Sequence, residues 1–310
     1  SPGISKDGTI YVVTRLGRLY SFYRNGSLKW KTEETGELTS SSPTINQDGN
    51  IIFGSWDRYV YCYYPNGSLY WKYNIGWRTI STPAIDKEGN IYVTAHNESG
   101  SYTPGIIYSI DPNGTLRWEC ITNNIQYNSV SIDDNGILYV VTNQYDDNYF
   151  YAIYSNNGTI KWKVPTGWPV WKSVAPSIGK DKTLYIATND GKIRAYYPNG
   201  TKKWIYKTGD TIQGSSIAID GNGLLYFGTR GDSIYCIYTN GTLKWKFKTG
   251  NDIYYKPALD DNTNLYIGSS DGYLYSIGFP IPKPPVDIVN RSGFGFVNLS
   301  WNRTPNFEET

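Results

Sequence analysis

One short phrase recurs through the chain and dictates most of what it can become. NGSLKW, NGSLYW, NGTLRW, NGTIKW, NGTKKW and NGTLKW begin at Asn25, Asn66, Asn113, Asn157, Asn199 and Asn240, in steps of 41, 47, 44, 42 and 41 residues. An indole follows each Asn five positions later: Trp30, Trp71, Trp118, Trp162, Trp204 and Trp245. A period of roughly 40–50 residues marks a repeat architecture. Each unit is then one supersecondary element that buries its apolar face only against its neighbour.

Each unit holds four short strand-like runs. In the second they are Ser42–Ile45, Ile51–Gly54, Tyr59–Cys62 and Ser68–Trp71, here called A, B, C and D. Asn/Asp/Gly turns separate A from B, and Pro65-Asn66-Gly67 separates C from D. Asn-Gly between strands predicts a type I′ turn, in which both central residues take φ > 0. Four antiparallel strands per unit make the blade of a β-propeller. The B pattern occurs seven times, at Tyr11, Ile52, Tyr92, Tyr139, Tyr185, Tyr226 and Tyr266, and strand A seven times if Ser1–Ile4 is the first. Strand D occurs six times. Seven blades are expected, with the missing D strand upstream of Ser1, or eight if a further unit precedes. The chain therefore reads as a piece of a longer protein.

Composition narrows the function. The 30 Tyr, 11 Trp and 32 Gly suit strands and tight turns. Lys+Arg 29 against Asp+Glu 27 gives a net charge of +2, which offers no basic footprint for nucleic acid. No apolar run is long enough to span a membrane. One His and three Cys, Cys62, Cys120 and Cys236, exclude a disulfide framework and leave little for a zinc site.

The blades resemble the pyrroloquinoline-quinone (PQQ)-like propeller repeat over residues 1–279. The fullest copy is Ile110-Asp111-Pro112-Asn113-Gly114-Thr115-Leu116-Arg117-Trp118. In that family the strand-D Trp docks one blade against the next. The resemblance implies the same structural role for Trp30, Trp71, Trp118, Trp162, Trp204 and Trp245. The family includes quinoprotein dehydrogenases, outer-membrane assembly lipoproteins and non-catalytic surface proteins. The dehydrogenases' adjacent cysteines, calcium ligands and catalytic Asp have no recognisable counterpart here, so no cofactor is expected. Residues 280–285, PIPKPP, read as a stiff linker. Residues 286–310 resemble the start of a fibronectin type III β-sandwich, through Val286-Asp287-Ile288 and Val297–Trp301.

Several motifs have a plain reading beside a functional one. Asp133-Asp134, Asp146-Asp147 and Asp260-Asp261 are acidic pairs of the kind that bind calcium. The first and third fall in A–B turns, where Asp caps its own backbone. Ten Asn-x-Ser/Thr sequons occur, and six coincide with the Asn-Gly turns, so turn geometry accounts for them. Lys beside the strand-D Trp (Lys29, Lys31, Lys161, Lys163, Lys244, Lys246) reads as edge protection. His96 is expected in a long, solvated B–C loop.

The two propeller faces differ. A–B and C–D turns are short and uniform. B–C loops and D–A crossovers vary, and variable loops on a rigid scaffold are where recognition concentrates. They carry Trp56, Trp77, Trp168, Trp171, Tyr254 and Tyr255, the candidate ligand-binding residues. The reading is a non-catalytic extracellular or cell-surface module that binds protein or glycan. The alternatives are a PQQ-dependent dehydrogenase and an envelope assembly factor.

Overall fold

The computed structural model describes residues 2–34, 41–79, 81–96, 104–123, 125, 128–143, 148–170, 174–214, 216–278, 291–293 and 296–298. These residues are all β, with no helix among them. Seven antiparallel sheets, spanning 3–31, 44–74, 84–122, 131–165, 177–207, 218–248 and 258–277, form the blades of a propeller ring. In each, the strands pair in chain order, so every blade is a simple meander. The first six have four strands and the seventh has three, Ala258–Leu259, Leu265–Gly268 and Leu274–Ile277.

The C–D turns correct one expectation. Gly26, Gly67, Gly114, Gly158, Gly200 and Gly241 have φ between +74° and +89°, while the Asn before each does not. Gly67 N–H donates to the Tyr64 carbonyl, so Pro65 and Asn66 are the central pair of a type I turn and Gly67 forms the bulge after it. A type I′ turn centred on Asn66-Gly67 would need φ > 0 at Asn66 as well, and Asn66 does not have it. The register slip in the C–D ladder of blade 2, between Cys62 and Tyr63, follows. The Asn side chain serves the turn: Asn66 Oδ1 accepts from Ser68 N–H at 3.0 Å and Ser68 Oγ at 2.7 Å. The same pair of bonds recurs at Asn25, Asn157, Asn199 and Asn240. The Ser/Thr of these sequons thus has a turn-building use.

Directly across from each strand-D Trp stands a small residue of strand C: Ser21, Cys62, Ser109, Ala152, Ala195 or Cys236. A larger side chain there would collide with the indole, which explains why two of the three cysteines sit in this column. Both faces of the inner blades are covered, so their B and C strands are buried nearly throughout. Six apolar clusters each join one blade to the next, from the 1/2 pair to the 6/7 pair. At the hub, strand-A hydroxyls tie neighbours together: Thr44 donates to the Pro83 carbonyl, Ser131 to Pro176 and Ser177 to Ile217.

His96 is corrected as well. It closes strand B of blade 3 (Ile91–His96), pairs with Gly105 and is buried. Asn97, Asp146, Asp147 and the 280–285 linker lie outside the described residues. So does most of 286–310, of which Arg291–Gly293 and Phe296–Asn298 form an antiparallel pair.

Candidate functional site: the B–C/D–A face

Packing chemistry concentrates on the opposite face. Trp30 Nε1 donates to the Pro65 carbonyl of the next blade at 2.9 Å, and Trp71, Trp118, Trp162 and Trp204 donate likewise to Pro112, Ser155, Pro198 and Thr239. A Cβ built on the Gly of each receiving turn would lie 2.6–3.0 Å from the indole, so each slot accepts only glycine. Within a blade, the strand-B Tyr packs against the same Trp at 5.8–6.1 Å, as at Tyr139/Trp162 and Tyr185/Trp204. Asp86, Asp133, Asp220 and Asp260 of the A–B turns accept from these Tyr hydroxyls and from turn N–H groups. Asp134 pairs with Lys182. That face is occupied with holding blades together.

The B–C/D–A face is built differently. The five crossovers from blade 2 onward each carry one buried side chain at the end of the preceding blade: Thr79, Ile125, Val170, Ile212 and Ile253. Ile253 fits because Gly228 beneath it has no side chain; a Cβ there would stand 2.1 Å from it. Residues beside these side chains turn outward. Trp168, before Val170, is 53% exposed, and Tyr255, after Ile253, is 64% exposed. Trp56 and Trp77 are half-buried. Trp77 packs into the core between blades 2 and 3, and the Arg78 guanidinium covers Trp56 at 5.0 Å. Trp171 lies outside the described residues. Of the described aromatics, Trp56 and Trp77 stand by blades 2 and 3, Trp168 before blade 5, and Tyr254 and Tyr255 before blade 7, and none is among the residues that line the cavity described next.

That cavity, about 400 Å³, opens between the two crossovers that flank blade 6 and the B–C turn of that blade, and is lined by Gly209, Asp210, Thr211, Arg230, Gly231 and Asp252. Its origin is visible in a column of strand C. Blades 2 and 7 place a Tyr there, Tyr61 or Tyr275, which donates to an Asp four residues earlier, Asp57 or Asp271. Blade 6 keeps the Tyr, Tyr235, but has Gly231 in place of the Asp, and Tyr235 donates to the Thr208 carbonyl instead. The Asp210 carboxylate fills the space; a Cβ on Gly231 would stand 2.1 Å from it. Across the cavity, Arg230 Nε donates to Asp252 at 3.1 Å and its guanidinium covers the Tyr254 ring at 5.8 Å. The Tyr254 hydroxyl donates to Asp252 at 2.7 Å and, with Arg230, holds that carboxyl below the usual carboxylate range.

Blade 5 breaks the column in the opposite way, with Arg194 for Tyr. The buried guanidinium grips Asp190 through two bonds of 2.9 and 2.8 Å, with Lys192 and Thr188 also on the carboxylate. Burial by itself raises the Asp190 carboxyl; the bonds from Arg194, Lys192 and Thr188 outweigh it and hold it well below its ordinary range. Reading Trp and Tyr alone missed Arg230, Asp252, Asp210 and Arg194. The available signal was an odd residue in a repeat column: Arg194 among Tyr20, Tyr61, Tyr108, Tyr151, Tyr235 and Tyr275.

Among the described residues no three His, Cys, Asp or Glu side chains converge as a metal group would need. The described residues thus bring together no carboxylate set of the kind a calcium-dependent quinone centre would need. Burial pushes the Cys62 and Cys236 thiols up to about 12, and raises that of Cys120.

These features define a seven-bladed propeller with one face given to blade docking and the other to irregular polar and aromatic loops. The chain is similar in structure to a europium-containing methanol dehydrogenase (TM-score 0.71, 13% identity, covering 86% of this chain and 72% of that one). It is also similar to BamB from Moraxella catarrhalis (TM-score 0.61, 13% identity, 90% and 94%). Both are propellers, and at this identity the likeness shows the fold. It lends no support to the fibronectin type III-like reading of 286–310. No family model and no curated protein matches the sequence.

Proposed function

We propose that the chain is a non-catalytic binding module whose B–C/D–A face takes a protein partner, in an extracellular or cell-surface setting. The observation that carries this is the rim of blades 4 to 7. It places exposed Trp168 and Tyr255 on the same face as a polar cavity walled by Asp210, Arg230 and Asp252. Exposed Trp, Tyr and Arg are the residue types enriched among the hot spots of protein interfaces. Among the described residues no helix is long and apolar enough to cross a membrane. A glycan stacking on Trp168 is the finer alternative. The test is capture from the producing cell's envelope, with wild type and Trp168→Ala/Tyr255→Ala compared at equal folded concentration. Loss of a specific partner in the variant supports the reading; an identical capture profile counts against it.

The likeness to a methanol dehydrogenase favours a second reading, a quinoprotein-type oxidoreductase. It is tested by calcium-dependent quenching of Trp fluorescence by PQQ. Saturable quenching would revive it. The envelope assembly reading shares the first proposal's test and differs in the partner recovered.

A further inference from the structure

The outer strands of the blades are basic in a way the rest of the chain is not. The six D strands, Leu28–Lys31, Leu69–Asn74, Leu116–Thr122, Ile160–Pro165, Lys202–Lys207 and Leu243–Lys248, carry twelve Lys and Arg. Of the chain's 27 Asp and Glu they carry one, Glu119. The net charge of +2 thus hides a segregation of cations to the rim. Blades 4 to 6 are the extreme, with eight Lys and no acid on three successive D strands. Lys161 and Lys163 flank Trp162 on the exposed face of blade 4, and Lys246 and Lys248 are exposed on blade 6. Residues two apart on a strand stand about 7 Å from one another. The ammoniums are also held in place. In blade 4, Lys161 stands over the Tyr154 ring at 5.6 Å and Lys163 over Tyr149 at 4.6 Å. In blade 6, Lys244 stands over Tyr238 at 5.6 Å and Lys246 over Tyr235 at 4.9 Å. A ring holds an ammonium without neutralising it. No carboxylate is within ion-pair distance of Lys161, Lys163, Lys207, Lys246 or Lys248 among the described residues. Edge protection accounts for a Lys on an edge strand. It does not ask for a row of ammoniums fixed on rings.

We propose that the rim of blades 4 to 6 binds an anionic polysaccharide, a linear chain with a carboxylate or sulfate on recurring sugar units. This surface is separate from the B–C/D–A face and does not depend on the reading given for that face. Cations spaced along one strand and repeated on the next blade complement charges strung along one extended polymer. Ordering long side chains is a main cost of binding, and the rings have already restrained these. Two other polyanions fit the rim less well. Single-stranded nucleic acid stacks its bases on bare aromatic faces, and here those faces already carry a cation. An anionic bilayer is planar, whereas the three strands belong to successive blades of a ring and face different directions.

The probe is fluorescein-labelled polygalacturonate, titrated into the full chain at low salt and read by fluorescence anisotropy, with a labelled heparin fragment as the sulfated arm. Saturable binding is expected, with an affinity that falls linearly with salt on logarithmic axes. Binding of either polymer supports the proposal, and the tighter of the two names the anion. Methyl-esterified polygalacturonate keeps the backbone and loses the charge, so it should not compete. Lys246→Gln/Lys248→Gln should weaken binding roughly tenfold or more and flatten the salt dependence. Lys163→Gln/Lys207→Gln repeats the test on blades 4 and 5 and should do the same. Lys6→Gln/Lys87→Gln makes an equal change in net charge in the A–B turns and should leave the affinity within about twofold. Failure of the folded chain to bind either polymer overturns the proposal, as does an equal loss in the rim and turn variants. Competition by the esterified polymer would show that charge is not what is read, with the same consequence. Tighter binding of an oligonucleotide or of phosphatidylglycerol vesicles would assign the rim to another polyanion and likewise overturn it.

Discussion

Trp162 and Trp245 hold the same place in successive repeats but differ in one atom's circumstances. Trp162 Nε1 donates to the Pro198 carbonyl at 2.9 Å, whereas Trp245 Nε1 is buried with no acceptor among the described residues. Substituting Phe at each removes the N–H and part of the ring. Both indoles are half-buried and each packs on the strand-B Tyr of its own blade, so much of the lost apolar area cancels in the comparison. At Trp162 the change deletes a net bond worth about 0.5–1.5 kcal/mol. At Trp245 it relieves a desolvated donor, which returns about 1–3 kcal/mol. Trp162→Phe should therefore be less stable than Trp245→Phe by about 1.5–4.5 kcal/mol. Urea unfolding followed by far-ultraviolet circular dichroism reads this without depending on the Trp being replaced. The two variants should share an m-value and differ in midpoint. Equal midpoints would refute the claim that these hydrogen bonds, and not indole burial alone, distinguish one blade junction from another.

Three further outcomes follow from the same contacts. Gly114→Ala sets a Cβ 2.8 Å from the Trp71 ring at φ +89°, while Gly76→Ala at φ +75° meets nothing within 4 Å. Both pay for the left-handed backbone, so Gly114→Ala should be the more destabilising by about 1–3 kcal/mol, read as a difference in urea midpoint. Asp190→Asn strands the buried Arg194 and should cost about 3–5 kcal/mol near neutral pH. The Asp190 pKa is depressed in the folded state, so its contribution is present above the ordinary value of 3.8 and fades as pH falls through the folded value. Stability curves of wild type and variant should accordingly converge in acid, and a constant gap down to the acid limit would contradict the pairing. The three thiols should be silent to a disulfide reagent at pH 8 in the folded protein, since burial keeps them protonated, and should all react in guanidinium. Prompt reaction of any one under native conditions would show an open blade.

The architecture was legible because one constraint repeats. The Asn-Gly-Ser/Thr turn and the Trp five positions on are tied by covalent spacing, and the same spacing fixes the small residue opposite the Trp. The turn type was misread because Asn-Gly is compatible with two geometries: the central pair of a type I′ turn, or the last corner of a type I turn and the glycine bulge after it. His96 was misplaced because strand B of blade 3 runs longer than its counterparts, and no residue in Thr94-Ala95-His96 signals a strand end. The polar cavity could not be seen by collecting aromatics. It arises from an exchange between distant positions, Gly231 giving way to Asp210, and only the packing of one crossover on the neighbouring turn brings them together.

The succession of apolar clusters has a mechanical meaning. Among the described residues, six clusters join the seven blades in sequence, each blade to the next. Coupling of that kind runs along a row, and a row unfolds by fraying. Strand contacts close within each blade, and coupling passes only from neighbour to neighbour through the clusters and the hub hydroxyls. Amide exchange should then be graded along the row, fastest in blades 1 and 7 and slowest in blade 4. The circular outline conceals a linear order of stability.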